Sequence, residues 1–271
     1  MSEKNSYPCK TTINKRTPKY MIFYFSGLGN SKYIAEKIAE DGERLFFIPD
    51  VENMGIYKYK LSSDERLGFV FPVYCWQEPK LVADFVKKLQ IEGHPGYTFM
   101  VCTCGDDCGY TERTFRRTLS KIGLELDAAL AVQMPNTYVN LPGMDVDPIE
   151  LANKKLANAE KRIAELRTIL GKREHVSQMI ITGSPFLKTY IIKPIFYAIL
   201  VNDKRFRVNN SCVGCGICAD SCAFNNISFN NGKPQWQGHC TTCMSCYHHC
   251  PQHAIHFGKA TKDKGQYYFS K

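Results

Sequence analysis

Eight cysteines packed between positions 212 and 250 constrain this chain more than any other feature. "CVGCGICADSC" occupies 212 to 222 and "CTTCMSCYHHCP" occupies 240 to 251. Cys212, Cys215 and Cys218 are spaced C-x2-C-x2-C, with Cys222 after three more residues. Cys240, Cys243 and Cys246 repeat that spacing, again with Cys250 after three more residues and Pro251 behind it. A structural zinc ion takes four ligands, usually as two C-x2-C pairs split by a loop. Three thiols on one tight turn instead suit three corners of an iron-sulfur cube, whose fourth corner comes from elsewhere. In the bacterial two-cluster pattern the fourth cysteine of each run serves the other cluster. The spacing therefore predicts two 4Fe-4S clusters. Cluster I falls on Cys212, Cys215, Cys218 and Cys250, and cluster II on Cys222, Cys240, Cys243 and Cys246.

The residues between the thiols agree with that reading. Gly214 and Gly216 let backbone amides approach cluster sulfides, and such hydrogen bonds tune the potential. Ile217, Ile227, Ala254 and Ile255 are expected to form the apolar shell around the clusters. The tails "AFNNISF" and "PQHAIHF" follow the two runs in matching positions, so the segment reads as an internal duplication. His239, His248, His249 and His253 are expected on the surface or behind the ligands. The segment resembles bacterial-type ferredoxins with two 4Fe-4S clusters, with Ala223 standing where the first run would often carry the proline seen at Pro251.

At 271 residues the chain is long enough for about two domains. The other five of its 13 cysteines lie at Cys9, Cys75, Cys102, Cys104 and Cys108. The polar, basic start has no apolar h-region, which points to a cytoplasmic protein whose thiols stay reduced, and so away from a disulfide framework. The apolar stretch 185–201 is interrupted by Lys188, Lys193 and Pro194, and it is shorter than the roughly 20 residues of a membrane span. A buried or interdomain helix pair is expected there, and no membrane span. The expected organisation is a basic N-terminal arm at 1–19, an α/β domain at 20–175, a helical connector at 176–204 and a small α+β two-cluster domain at 205–271.

Residues 20–41 read as an apolar strand, a Gly-rich turn and a helix. Further strands are expected at 44–49, 66–74, 97–104 and 126–134. Helices are expected at 78–89, 111–123 and 148–174, the last with Leu151, Leu156, Ile163, Leu166 and Leu170 on one apolar face. This alternation means a parallel sheet covered on both faces. In such sheets ligands bind beyond the carboxyl ends of the strands. The loop after the first strand holds Ser26, Gly27, Leu28, Gly29, Asn30 and Ser31, and its amides open a helix, where a phosphate can be cradled. It matches neither the P-loop nor the longer dinucleotide fingerprint, and taken alone an ordinary Gly-rich turn would explain it as well. Two more loops reach the same edge. One carries Pro72, Val73, Tyr74 and Trp76; the other carries Thr103, Cys104, Gly105 and Tyr110. Their aromatics can cover a flat ring.

On those loops the segment resembles the flavodoxin family. The resemblance implies a doubly wound parallel five-stranded sheet in the order 2-1-3-4-5. It also implies FMN, with its phosphate at 26–31 and its ring between the 72–76 and 103–110 loops. Two departures are Lys32, in a loop that normally lacks cations, and Tyr110, which comes later than the family's aromatic. Over about 20–260 the chain is similar to flavodoxin-ferredoxin fusion proteins of anaerobic bacteria and archaea. A flavin takes electrons singly or in pairs and a cluster takes one, so the fusion implies an electron-transfer protein passing electrons between FMN, two 4Fe-4S clusters and a redox partner. An FMN-dependent reductase of a small substrate, lidded by 136–147, is the alternative; a zinc-ribbon module is a more distant one. The formal charge of +9 falls to about +3 once two anionic clusters and a phosphate are counted, which argues against nucleic acid. "RTFRR" (113–117) and "KRFR" (204–207) are candidate docking patches for an acidic redox partner protein. Cys75, Cys102, Cys104 and Cys108 are expected to pack beside strand ends.

Overall fold

The computed structural model describes residues 20–141, 143–192 and 201–269. The arm expected at 1–19 and positions 193–200 of the apolar stretch lie outside them. Chain order begins β1 (Tyr20–Tyr24), α1 (Asn30–Ile38), β2 (Arg44–Phe47), α2 (Ile48–Met54), β3 (Lys58–Lys60), β4 (Arg66–Pro72) and α3 (Lys80–Lys88). It continues with β5 (Gln90–Glu92), β6 (Tyr97–Cys104), α4 (Thr111–Ser120), β7 (Ala128–Gln133), α5 (Ile149–Gly171) and β8 (Ser177–Gln178). The strand expected to reach residue 49 stops at Phe47, because Pro49 in the next turn favours a helix start and α2 begins there.

Six of these strands form one parallel sheet in the order β2-β1-β4-β6-β7-β8. The first five stand in the doubly wound order expected. The count of five is corrected to six, since Ser177 and Gln178 pair with Ala129 and Leu130 at the sheet edge. That strand is two exposed residues long and lies inside the stretch read as connector, so no alternating pattern marks it. β3 and β5 pair separately as a two-stranded parallel ribbon.

β6 is buried along its whole length and β4 up to Phe71, as apolar strands covered on both faces must be. Phe23, Phe69, Phe85 and Phe115 fill one face of the sheet. Ile22, Ile34, Val101 and Leu166 fill the other. From α5, Ile163, Leu166 and Leu170 reach that second core, but Leu151 is 42% exposed, so the apolar stripe starts later than expected. Arg66 is almost fully buried, with its guanidinium 2.5 Å from the buried Glu43 carboxylate.

Beyond the sheet come a π-helical segment (Leu187–Ile192), β9 (Phe206–Val208), α6 (Ile217–Asp220), β10 (Ile227–Asn230), β11 (Lys233–Trp236), α7 (Ser245–His248) and β12 (Ile255–Phe257). β9 pairs antiparallel with β12, and β10 with β11. Each cysteine run thus leads into a one-turn helix and then a strand, the repeat visible in the sequence. Among the described residues no helix is long and apolar enough to cross a membrane.

The small module has its own core of Phe206, Ile227, Met244, Tyr247, Ile255 and Phe257, and Val139 of the sheet domain completes it. The loop that carries Val139 is stitched down along its length. His248 donates from Nε2 to the Thr137 carbonyl (2.9 Å) and accepts at Nδ1 from the Tyr267 amide (3.1 Å). Burial lowers His248 to about 4, so the ring is neutral and both nitrogens keep these roles. Lys264 Nζ donates to the Val139 carbonyl (2.8 Å), and the Gly265 amide donates to Asp145 Oδ1 (3.0 Å).

Candidate cofactor site

The turn after β1 starts α1 with Gly29 in the left-handed region, at φ 92°. A Cβ there would sit 2.7 Å from the Phe269 carbonyl oxygen, so both the conformation and the close approach need glycine. The Gly29 amide donates to Ser26 Oγ (3.0 Å), and Ser31 Oγ and Thr103 Oγ1 share a hydrogen bond of 2.7 Å. The first amides of a helix lack intrahelical acceptors and carry the positive end of its dipole. Lys32 turns outward, 3.8 Å from Glu36, so its charge is not directed into the loop. Phe269 closes over the outside of the turn: its amide donates to the Leu28 carbonyl (2.8 Å) and its ring lies 4.5 Å from that of Tyr33.

After β4 the chain makes a tight reversal in which the Tyr74 and Gln77 backbones exchange hydrogen bonds of 2.9 and 3.2 Å. Both central residues, Cys75 (φ 49°) and Trp76 (φ 61°), are left-handed, as a type I′ turn requires. Neither is glycine, so the turn holds backbone strain of about 1 kcal/mol or more per residue. After β6, Gly109 is pressed against Trp76, where a Cβ would come within 2.4 Å of the Trp76 Cβ. This contact turns the chain away, and Tyr110 packs against Tyr190 (5.9 Å) under the Arg113 guanidinium.

The three loops surround a cavity of about 380 Å³. Ser26, Gly27, Leu28, Asn30, Ser31, Pro72, Val73, Tyr74, Trp76, Thr103, Cys104 and Gly105 line it, whereas Gly29 and Tyr110 do not. Three further walls complete it: the loop at 136–147 was expected as a lid, whereas the connector and the second cysteine run were not identified from the sequence as binding positions. Asn136, Tyr138, Leu141 and Met144 come from the loop after β7; Thr182, Lys188, Ile192 and Val201 come from the connector; Thr241 to Met244 come from the second cysteine run. Ion pairs centred on the buried Lys155 and Asp107 side chains hold the first two of these walls. Lys155 reaches Asp147 (2.7 Å) and Asp106 (3.1 Å), and Asp147 also takes the Asn136 amide (2.8 Å). Asp107 accepts from the Gly109 and Thr182 amides and from Lys188 Nζ (2.5 Å). Burial alone would raise its carboxyl, but Lys188 and the two amides outweigh that and hold it below its usual value. A helix N-terminus with hydroxyls at one end, and Val73, Tyr74 and Trp76 along the flank, fit a phosphorylated flat ring.

Cys222, Cys240, Cys243 and Cys246 line a second, smaller cavity. Burial raises Cys240 to about 12 and Cys243 to about 11, so thiolates here need a metal to hold them ionised. Cys218 is likewise raised to about 11 by burial, with the charges of Cys250 and Cys215 adding to it. Backbone amides point at the sulfurs: Asn226 to Cys222 (3.4 Å), Thr242 to Cys240 (3.2 Å) and Ala254 to Cys250 (3.3 Å). Among the described residues no group of cysteines closes on a single point as the ligands of one ion would. The Trp236 indole N–H and the Thr241 hydroxyl are buried beside this cavity and meet no acceptor in hydrogen-bond geometry. Both nonetheless oppose the rise caused by burial, Trp236 at Cys246 and Thr241 at Cys243, as donors waiting on anionic sulfur would. Of the expected shell, Ile227, Ala254 and Ile255 are buried, but Ile217 is 39% exposed. His239 and His253 are exposed as expected, whereas His248 is fully buried between the modules, and the half-buried His249 stacks on Tyr268 (4.4 Å).

A family model described as a flavodoxin domain matches residues 21–140, and one described as a 4Fe-4S dicluster domain matches residues 211–255. Comparison with curated proteins gives no match. Similar solved structures include the Trp repressor binding protein from Bacillus subtilis, 13% identical, covering 56% of this chain and 97% of that one at a TM-score of 0.36. An FMN-dependent NADH-azoreductase from Bacillus anthracis, in complex with FMN, is 10% identical over 55% of this chain and 99% of its own, at a TM-score of 0.31. A flavodoxin from Streptococcus pneumonia TIGR4 is 15% identical over 54% and 98%, at 0.28. The flavodoxin domain implies FMN and the dicluster domain implies iron-sulfur clusters. The chain thus carries a match to a flavodoxin domain over 21–140 followed by a match to a 4Fe-4S dicluster domain over 211–255, the arrangement of a flavodoxin-ferredoxin fusion, which points to FMN and iron-sulfur electron-transfer or oxidoreductase chemistry.

Proposed function

We propose that this protein passes electrons between FMN in the larger cavity and two 4Fe-4S clusters, and from there to a redox partner protein. The observation that carries the proposal is the wall built by Thr241 to Met244. The run that would ligate cluster II is also a wall of the candidate flavin site. Contact there is tight: a Cβ on Gly27 would come within 2.9 Å of the Cys243 Cβ. Phe224, just after Cys222, packs 6.0 Å from Phe25 and so reinforces the same join.

When bound, the flavin supplies the exchange between paired and single electrons, and each cluster carries one. The chain's own residues do the rest. The amides and hydroxyls of 26–31 hold the phosphate, and Tyr74 and Trp76 flank the ring. Asp107 with Lys188 and Asp147 with Lys155 keep the surrounding segments closed. Cys222, Cys240, Cys243 and Cys246 hold the cluster nearer the flavin.

The cluster on Cys212, Cys215, Cys218 and Cys250 faces outward. Cys215 is exposed, and Val213 and Ile217 beside it are 68% and 39% exposed. Lys233 donates to the Cys212 carbonyl (2.8 Å), leaving a cation next to that face. An acidic partner protein docks there with Lys204 and Arg207 close in sequence, which fits steering by opposite charge.

Anaerobic purification tests the reading. It expects one FMN per chain, and about eight irons with about eight labile sulfides. Zinc in place of iron, or a flavin-free protein that cannot be reconstituted with FMN, would overturn it.

A further inference from the structure

Three cysteines outside the cluster ligands meet at the edge of the larger cavity. Cys108 Sγ lies 3.4 Å from Cys104 Sγ and 3.6 Å from Cys102 Sγ. Cys102 and Cys108 are fully buried, while Cys104 is 7% exposed and lines the cavity. Such a grouping is more than packing needs. Cys102 and Cys104 share a face of β6 by the two-residue period of a strand, and Cys108 is brought back over them by a loop anchored at several points. Its amide donates to the Ile180 carbonyl (2.8 Å), its carbonyl takes the Thr111 hydroxyl, and the neighbouring Asp107 is fixed by Lys188.

We propose that Cys104 and Cys108 form a redox-active dithiol that exchanges an electron pair with the flavin. The step balances. The S–H bonds of the two thiols break, an S–S bond forms, and two electrons and two protons pass to oxidised FMN, giving reduced FMN. The reverse step opens the disulfide at the expense of reduced flavin. The sulfurs need only close from 3.4 Å to about 2.05 Å. Cys104 is the partner that faces the cavity, so it is the contact with the flavin, and Cys108 is the buried nucleophile.

Ionisation of the pair agrees with those roles. As a thiol, Cys108 donates toward Cys104; as a thiolate, it accepts from Cys102 and Cys104 together, which holds it well below the usual thiol value. Cys104 moves the other way, raised first by its hydrogen bond to Cys108 and then by burial. One sulfur is therefore ready to attack and the other holds the proton. Cys102 is the third thiol, a donor that supports the thiolate without facing the cavity.

The consequence is a store for an electron pair on the side of the flavin served by 102–108, while single-electron carriers sit on the side served by 241–244. This inference rests on the flavin reading, and its test separates the two. The holoprotein is poised anaerobically with glutathione mixtures and mediator dyes, quenched in acid, alkylated, digested and analysed by fragment mass spectrometry. The expected result is Cys102 alone alkylated in the oxidised sample and all three thiols alkylated in the reduced sample. Alkylation of all three in both samples, or a disulfide that includes Cys102, would overturn the proposal.

A reductive titration reads the link to the flavin. Oxidised wild type is expected to take up about two more electrons per chain than Cys108→Ser. Equal uptake by a folded variant would sink that link. If the disulfide forms in protein that carries no flavin, the flavin reading fails and the dithiol remains. If flavin is bound and titrates but the disulfide never forms, the dithiol fails alone.

Discussion

Replacing Trp236 by Phe isolates one hydrogen-bond donor beside the cavity where cluster II is proposed. The ring is held by stacking on Phe206 at 4.8 Å with planes 8° apart, and Phe keeps that stack. What disappears is the buried indole N–H, which meets no acceptor in hydrogen-bond geometry but opposes the rise at Cys246 across the cavity. A hydrogen bond to a charged group is worth about 1.5–3 kcal/mol. Its effect on potential is the part that differs between the oxidised cluster and the more negative reduced one. Taking that part as between a third and a half gives about 0.5–1.5 kcal/mol, or about 20–60 mV for a one-electron couple. The donor favours the reduced state, so its loss lowers the potential of cluster II. EPR-monitored anaerobic titration of wild type and Trp236→Phe reads both clusters in one experiment. Cluster II is expected to fall by that amount and cluster I to stay in place. Equal shifts in both clusters, a rise, or no change would refute the reasoning.

Other substitutions test other joints. Gly29→Ala forces a non-glycine residue to φ 92° and drives its Cβ toward the Phe269 carbonyl. The left-handed cost alone is about 1–2 kcal/mol, and fluorescence titration with FMN is expected to show affinity weakened by about tenfold, against unchanged affinity if the loop does not hold the phosphate. Arg66→Met leaves the Glu43 carboxylate buried without its cation, so urea unfolding is expected to show a loss of about 3–5 kcal/mol with the iron content unaltered. Asp107→Asn releases the clamp on Thr182 and Lys188, and limited proteolysis is expected to cut faster between 180 and 192. The native Asp107 carboxyl is held below its ordinary value of 3.8, so its contribution is complete above that pH and disappears as pH falls further. Acid should therefore erase the difference between wild type and the variant.

Local patterns in the sequence carried the sheet and the cysteine groups further than they carried the cavity. Apolar runs such as 97–104 specify buried parallel strands because both faces need apolar cover. Cysteine spacing is similarly local, since three thiols expected to share one cube lie on one turn. The two-residue strand at 177–178 is too short and too exposed to carry any periodicity. Tyr110 falls outside the cavity because Gly109, held at φ 52° against Trp76, redirects the chain, a contact between residues more than thirty positions apart. The wall from Thr241 to Met244 is further still from legibility. It depends on Val139 entering the core of the small module and on Gly27 meeting Cys243, neither of which leaves a mark in either local sequence.

Electron exchange in this protein requires the flavin and cluster II to be neighbours. The direct measurement is EPR of the partly reduced protein, in which a one-electron flavin radical and a reduced cluster are present together. The radical signal is expected to relax faster when cluster II is reduced, and Gly27→Val, which pushes against Cys243, is expected to weaken that effect. A radical whose relaxation ignores the state of both clusters would contradict that adjacency.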